Sequence, residues 1–227
     1  MNLWIRNNRG FLAFLLLFGL FRTAVADWNP IPSGSMRPTI LEGDMVLVNR
    51  LAFNLKVPLT NIVVARTGEP KRGDIVTFFS PKNGTRLIKR VVGLPGDTVE
   101  MRDKVVIVNG SPASYASYAS IGTATEQVAS GVRVDALRLD EKTGQKDHVV
   151  QWLNIPANPA NDNFGPLLIP PDRYLMLGDN RDNSADSRYF GLVPRQLLIG
   201  HAVAILGSAD IKGNWAPRFE RFGEVLN

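Results

Sequence analysis

Residues 72–79 read RGDIVTFF, and the same sentence is written twice more nearby, as EGDMVLVNR at 42–50 and PGDTVEMRDKVVIVNG at 95–110. In each, a Gly-Asp pair precedes a run rich in Val, Ile and Phe. Glycine supplies the backbone freedom of a tight turn and aspartate can hydrogen-bond the turn with its side chain. A β-branched run prefers a pleated strand. No stretch of comparable length between them carries a helical period. Three such units predict a mainly β chain of short strands and tight turns, the recurrence being one of turn chemistry rather than of true internal repeats.

Outward from this core the pattern changes on both sides. From Ser111 to Pro171 it loosens: SYASYAS at 114–120 is locally repetitive, and Pro156, Pro159, Pro166, Pro170 and Pro171 crowd the end of the segment. An inserted, β-rich subdomain with long connections is expected at about 111–170, with no chemistry assigned to it. Regular strands resume at RYLMLGD and GHAVAILGS. In the C-terminal NWAPRFERFGEVLN, the residues Trp215, Phe219 and Phe222 are compatible with core, a short amphipathic helix or a membrane-facing edge.

The N-terminus, MNLWIRNNRGFLAFLLLFGLFRTAVAD, places Arg6 and Arg9 before an apolar run from Phe11 to Phe21. Two readings stand here. Ala24-Val25-Ala26 suits the end of a cleaved secretory signal. A span from Gly10 to Ala26 also suits a membrane anchor at the short end of the ~17–25 residues needed, with Arg22 snorkelling to the headgroups. Both orient the chain alike, because positive charge before the apolar run keeps the N-terminus inside. Everything after Asp27 is then extracytoplasmic.

Composition closes off several chemistries. The chain of 227 residues contains no cysteine, which removes disulfides, thiol nucleophiles and thiolate metal sites. Only His148 and His201 are present, too few for a histidine metal cluster. The net charge of +5 suits an anionic bilayer as well as nucleic acid, and no nucleic-acid-binding motif accompanies it. There is no G-x-S-x-G elbow, S-x-x-K, H-E-x-x-H or P-loop. An enzyme built on this sequence needs a carboxylate or a lysine as its general base.

IPSGSMRPT at 31–39 offers two serines as nucleophiles, and TRLIKRVVGLPGD at 85–97 offers a lysine. Strand alternation sends Lys89 and Arg90 to opposite faces of an otherwise apolar strand, so at least one is half-buried. Arginine stays charged on burial, whereas a desolvated lysine becomes neutral and competent as a base. From this segment alone the plainer reading is that Lys89 snorkels to the strand edge. GDNRDNSADSRYFG at 178–191 concentrates Asp179, Arg181, Asp182, Asp186 and Arg188 in one loop, either solvated or a rigid hydrogen-bonded network.

Taken together, IPSGSMRPT, GDMVLVNRLAF, RGDIVTF, RLIKRVVGLPGD and GDNRDNSADSRYFG, in that order after an apolar segment, resemble the bacterial type I signal peptidases (leader peptidases). The resemblance implies a signal-peptidase-like antiparallel β catalytic domain at 28–227, with the variable insertion inside it. One transmembrane helix lies within 1–27, where the best-studied members carry two. It implies Ser35 as nucleophile, Lys89 as general base and Ser33 as oxyanion-hole donor. Ser184 orients the lysine, Asp186 and Arg188 form a supporting ion pair, and Ile31 and Ile88 line shallow pockets for small residues at −1 and −3. No metal or organic cofactor is expected. The partners implied are the signal peptides of exported preproteins and the lipid bilayer, with no nucleic acid, for a monomer anchored by a single pass in the inner membrane. A peptidase of this specificity could also clip its own Ala24-Val25-Ala26. The rival readings are a dedicated Ser-Lys maturation peptidase of the same superfamily and a catalytically silent β-domain that binds exported chains.

Overall fold

The computed structural model describes residues 4, 7–60, 62–117, 124–129, 132–143, 146–156, 158 and 162–226. Arg6, Pro159 and residues 118–120 of the SYASYAS stretch, all singled out above, lie outside them. The chain runs from a helix, α1 (Arg9–Ala24), into β1 (Ala26–Pro30), β2 (Asp44–Asn49), a small hairpin of β3 (Asn54–Lys56) and β4 (Val63–Arg66), then β5 (Ile75–Phe79) and β6 (Arg86–Gly93). Next come β7 (Thr98–Arg102), β8 (Val105–Val108), β9 (Ser111–Pro112), β10 (Ser114–Ser117), β11 (Ala124–Ala129), β12 (Val132–Lys142) and β13 (Asp147–Leu153). The last elements are β14 (Phe164–Leu168), β15 (Arg173–Leu177), the single-turn α2 (Ser187–Phe190), β16 (Val193–Pro194) and β17 (Leu198–Ser208).

The three Gly-Asp units fold alike. Gly43, Gly73 and Gly96 adopt φ of 90°, 91° and 89°, a left-handed conformation that costs glycine nothing. In each turn the aspartate amide donates to the carbonyl three residues back: Asp44 to Leu41, Asp74 to Lys71, Asp97 to Leu94. Each carboxylate then accepts the amide of that same residue, at 2.8, 2.9 and 2.7 Å. The turn is thus closed twice, once by backbone and once by side chain, and the strand starts at or just after the aspartate.

The strands that follow enter an antiparallel sheet of seven, ordered β1-β2-β17-β5-β6-β15-β16. β17 is its long diagonal and slips register against β2 and β5; such irregularities bend a strand and increase its twist, so the sheet can curl round its apolar contents. Ile31, Met36, Ile40, Val46, Val48, Ile75, Ala202, Ile205 and Leu226 form one buried cluster, and Phe53, Val76, Phe78, Val91, Tyr174, Met176, Val193 and Leu198 another.

Residues 111–170 do not make one unit. β9 and β14 join β7 and β8 in a four-stranded sheet, β14-β7-β8-β9. β10, β11 and β13 form a separate sheet around β12, which pairs with β13 along one edge and with β10 and β11 along the other. The second sheet meets the loop that follows β15, forming with it an isolated parallel bridge, Gln151 to Asn180.

One expectation changes and one set of alternatives narrows. α1 ends at Ala24, because Ala26 is already paired with Asn49 as the first residue of β1. At 1.5 Å per residue its 16 residues reach about 24 Å, short of a hydrocarbon core of about 30 Å. No helix among the described residues is long and apolar enough to cross a membrane. At the C-terminus Trp215, Phe219 and Phe222 are exposed rather than core, Phe219 starting a 3-10 turn, and only Leu226 reaches the buried cluster.

Candidate active site

Pro32 to Glu42 form the connection between β1 and β2, closed at its base by the Ile31 amide on the Asp44 carbonyl and the Gly43 amide on the Ile31 carbonyl. Met36 and Ile40 sink into the core as the loop's apolar roots, which leaves Ser33, Gly34 and Ser35 facing a cavity. β6 passes beneath, and Lys89 rises from it into the same place. Lys89 Nζ donates to Ser35 Oγ at 2.6 Å and to the Ile88 carbonyl at 2.8 Å.

Both cations of β6 are buried, Lys89 with 2% and Arg90 with 1% of its surface exposed, and they part company chemically. Arg90 faces Asp179 with a two-point bond, Nε to Oδ1 at 2.8 Å and Nη2 to Oδ2 at 2.7 Å, and caps the Gly73 carbonyl with Nη1. Burial alone would raise the Asp179 carboxyl, but Arg90 outweighs it and holds the group below the usual carboxylate range. Lys89 faces no carboxylate at contact distance. Burial pushes its ammonium down to about 8, against the pull of Asp186 and Asp179 in the other direction. Lysine yields its proton when desolvated where arginine does not.

The loop 178–186 walls the site from behind. Asp186 caps α2 and binds Arg188 through Nε at 2.9 Å and Nη2 at 2.8 Å, while accepting the Gly178 amide at 3.1 Å. Gly178 backs directly on the serine loop: a β-carbon there would stand 2.2 Å from Ser184 Oγ and 2.4 Å from the Ser35 carbonyl. Asp179 also accepts the Thr39 hydroxyl at 2.5 Å, tying the far end of the serine loop to the same wall.

The sequence-named residues are therefore largely brought together, with three differences. Ser35, Ser33 and Lys89 line one cavity of about 390 Å³, and the Asp186–Arg188 pair stands behind it. Ser184 is buried, but its Oγ makes no hydrogen bond, to Lys89 or to any other described group; the lysine's second bond goes to the Ile88 carbonyl instead. Ile31 is packed into the core with Ile88 against that cluster, and the apolar side chain lining the cavity on β6 is Leu87.

Sequence reasoning missed what the second sheet contributes. The Glu126 side chain, on β11, lines the cavity and accepts from Asn180 Nδ2 at 2.7 Å, from Asn183 Nδ2 at 3.3 Å and from Gln151 Nε2. Glu141, on β12, receives both Nη atoms of Arg181 and the Tyr115 hydroxyl. Burial raises the Glu141 carboxyl, yet Arg181 and its hydrogen bonds hold it far below the ordinary range. The Leu153 amide on β13 donates to Asp182 at 2.7 Å. A segment that offered no motif thus grips four consecutive residues of the loop, Asn180 to Asn183. The only hint in the sequence is a lone acid in ATEQVA, a run otherwise uncharged.

A neutral amine 2.6 Å from a hydroxyl can take that hydroxyl's proton, the first requirement of serine nucleophilic catalysis. Comparison with known proteins gives the same direction. The sequence model of the family described as "Signal peptidase, peptidase S26" matches residues 4–206. Signal peptidase I of Buchnera aphidicola subsp. Schizaphis graminum is 34% identical over 95% of this chain and 79% of its own length. Signal peptidase I of Pseudomonas aeruginosa is 34% identical over 98% of this chain and 80% of its own. A solved signal peptidase I from Enterococcus faecalis, 31% identical, covers 59% of this chain and 96% of its own at a TM-score of 0.36, so the fold described above rests on this chain's own sheets. By the extent of the family match and the identity of these relatives, the chain belongs to the signal peptidase family, peptidase S26, and is a hydrolase of that family.

Proposed function

We propose that this hydrolase removes N-terminal signal peptides from exported preproteins, with Ser35 as nucleophile and Lys89 as general base, cutting after small residues at −1 and −3. The observation that carries the proposal is the buried Lys89 amine, brought down to about 8 and placed 2.6 Å from Ser35 Oγ. In its neutral form Lys89 accepts the Ser35 proton as Oγ attacks the scissile carbonyl. The tetrahedral oxyanion is met by the Ser35 backbone N–H and the Ser33 hydroxyl. Lys89 then protonates the leaving amine of the mature protein. The same lysine draws a proton from water to hydrolyse the acyl-enzyme. Asp186 and Arg188 hold the wall on which the base rests, and the substrate lies extended beside the Ser33 and Leu87 edges as an added strand. Ser184 supplies a buried hydroxyl beside the Ser35 carbonyl, free to take up a partner when the site is filled. Ile31 and Ile88 underlie the small-residue pockets, from within the wall rather than at its surface.

The same reading places α1 in a lipid bilayer as a single-pass anchor of the inner membrane, its reach of about 24 Å met by local thinning of the bilayer, with residues 28–227 as a monomeric domain on the extracytoplasmic side. What supports this is the exposure of Phe11, Phe14, Leu15, Leu16, Leu17, Phe18 and Phe21 along one short helix, since apolar area of that kind is rarely left to water.

Purified protein in detergent is expected to cut a preprotein, and Ser35→Ala and Lys89→Ala are each expected to abolish cutting. Near-normal turnover by either variant rules out the dyad. Cleavage after large residues at −1 rules out the specificity.

A further inference from the structure

Ser35 sits between two peptide groups, and one residue holds both. Asn180 donates its side-chain amide to the Gly34 carbonyl at 3.0 Å, and its backbone amide to the Ser35 carbonyl at 3.2 Å. A peptide group is planar and trans, so its N–H points away from its own C=O. Fixing the Gly34 carbonyl therefore fixes the direction of the Ser35 N–H. Glycine at position 34 offers no resistance of its own to rotation of that plane. The Gly34 carbonyl also accepts the Arg37 amide at 3.1 Å, so the turn and Asn180 set that plane together, and Asn180 is the side chain that does so.

Asn180 is in turn held from outside the seven-stranded sheet. Its Nδ2 donates a second hydrogen bond, 2.7 Å long, to Glu126 Oε1 on β11. Glu126 is 3% exposed, and its other oxygen accepts from Gln151 Nε2. Gln151 is itself fixed by two backbone bonds that straddle Asn180: its amide donates to the Asp179 carbonyl at 2.8 Å, and its carbonyl accepts the Arg181 amide at 3.0 Å. A carboxylate offers acceptors only. It can therefore bind Asn180 only through the amide nitrogen, which excludes the flipped orientation in which Nδ2 would leave Gly34.

We infer that Glu126 is a positioning residue for turnover, acting through Asn180 to hold the Gly34–Ser35 peptide so that the Ser35 N–H is aimed at the oxyanion before substrate arrives. The inference deepens the Ser35–Lys89 reading and rests on it. It gives the second sheet a part in the chemistry: β11 and β13 set one donor of the oxyanion hole from the far side of the loop. Because Glu126 acts on the loop and not on the base, its loss leaves the Lys89 ionisation where it was.

The experiment measures kcat, KM, the pH profile and the melting temperature of the full chain in detergent, with a preprotein as substrate. Glu126→Ala and Asn180→Ala are each expected to lower kcat ~10–10²-fold, less than the ~10²–10³ that follows outright removal of an oxyanion donor, with KM within about threefold and the acid limb unmoved. The double variant is expected to be no slower than Asn180→Ala alone, since residues acting in series do not add. Glu126→Gln, whose amide oxygen can still accept from Asn180, is expected to recover most of the kcat lost in Glu126→Ala. Leu137→Ala, an exposed change on the same sheet, serves as the control within about twofold of the parent. Full kcat in Glu126→Ala, additive losses in the double variant, or a loss seen only as raised KM and lowered melting temperature each overturn the inference. Ser35→Ala and Lys89→Ala run beside them: turnover there sinks the underlying reading, whereas their inactivity with a fully active Glu126→Ala sinks the positioning role alone.

Discussion

Replacing Lys89 with Met should stabilise the fold, and by an amount that shrinks as the pH rises. Lysine in an unfolded chain ionises near 10.5 and Lys89 in the fold near 8, a difference worth about 3 kcal/mol at about 1.4 kcal/mol per pH unit. The folded value is the lower one, so the unfolded chain binds the extra proton between about pH 8 and 10.5, and unfolding free energy climbs with pH across that window. Below it the parent bears the whole penalty of a buried ammonium; above it, none. Methionine fills the same volume with no charge in either state. The parent should therefore be weaker than Lys89→Met by about 3 kcal/mol at pH 7 and by about 1 at pH 9.5, apart from a constant offset for the changed side chain. Urea unfolding of both proteins at the two pH values, in one detergent, isolates the difference because other titrating groups are common to both. A narrowing of about 2 kcal/mol is expected. A gap of equal size at both pH values would refute a depressed Lys89, and with it the neutral base.

Further outcomes follow from the same geometry. The pH profile of kcat/KM should rise through an ionisation near 8, and an acid limb displaced to lysine's ordinary ~10.4 would remove Lys89 from the role of base. Ser33→Ala should reduce kcat by ~10²–10³ without abolishing it, read as a slow but measurable single turnover. Gly178→Ala places a methyl group 2.2 Å from Ser184 Oγ and 2.4 Å from the Ser35 carbonyl, so it should cost about 1–3 kcal/mol and more than tenfold in turnover; wild-type values would mean the loop has room the geometry denies. Asp179→Asn leaves Arg90 buried without its counter-charge and should cost about 3–5 kcal/mol, a loss partly recovered when Arg90→Met is added; chemical unfolding checks both. Intact mass of protein purified from membranes should retain residues 1–26, because Ala26 and Asp27 are paired into β1 and cannot lie extended in the groove. A product beginning at Asp27 would contradict this.

How much of this could be seen in the sequence follows the range of the interactions. The three Gly-Asp turns were legible because everything they need lies within four residues: a glycine for the left-handed φ, an aspartate to close the turn, a β-branched run to leave it. Their strands followed. The opposite faces of Lys89 and Arg90 were legible from alternation, but that both would be buried was not, since Asp179 reaches Arg90 only when β15 lies beside β6. The serines of IPSGSMRPT, Lys89 and the 178–191 loop stood out from their residue types, but the separate roles of Ser33, Ser35 and Lys89 came from resemblance to a family, and the cavity that unites Ser35 and Lys89 is a product of tertiary folding. Glu126, Gln151 and Asn180 were invisible for the same reason: their partners are set by the pairing of distant strands, and a glutamate in ATEQVA carries no local mark of what it will touch. The helix boundary was misplaced by two residues because apolar character continues through Ala26, while hydrogen bonding to Asn49 assigns that residue to the sheet.

The junction between α1 and the sheet carries a consequence for which substrates can be cut. Only Val25 separates the last helical residue from β1, and the join is stiff: Arg22 lies over the Trp28 ring at 4.5 Å and pairs with Asp27, whose carboxylate also meets Arg50 and Arg86. These contacts restrain bending at the join. With α1 seated in the bilayer as proposed, Ser35 is carried at a set height above the lipid and cannot swing toward or away from it. On that proposal the enzyme would work as a length gauge: a chain would be cut where its extended stretch, measured from the membrane, brings a small residue to that height, and an equally acceptable tripeptide farther along the same chain would pass beyond reach.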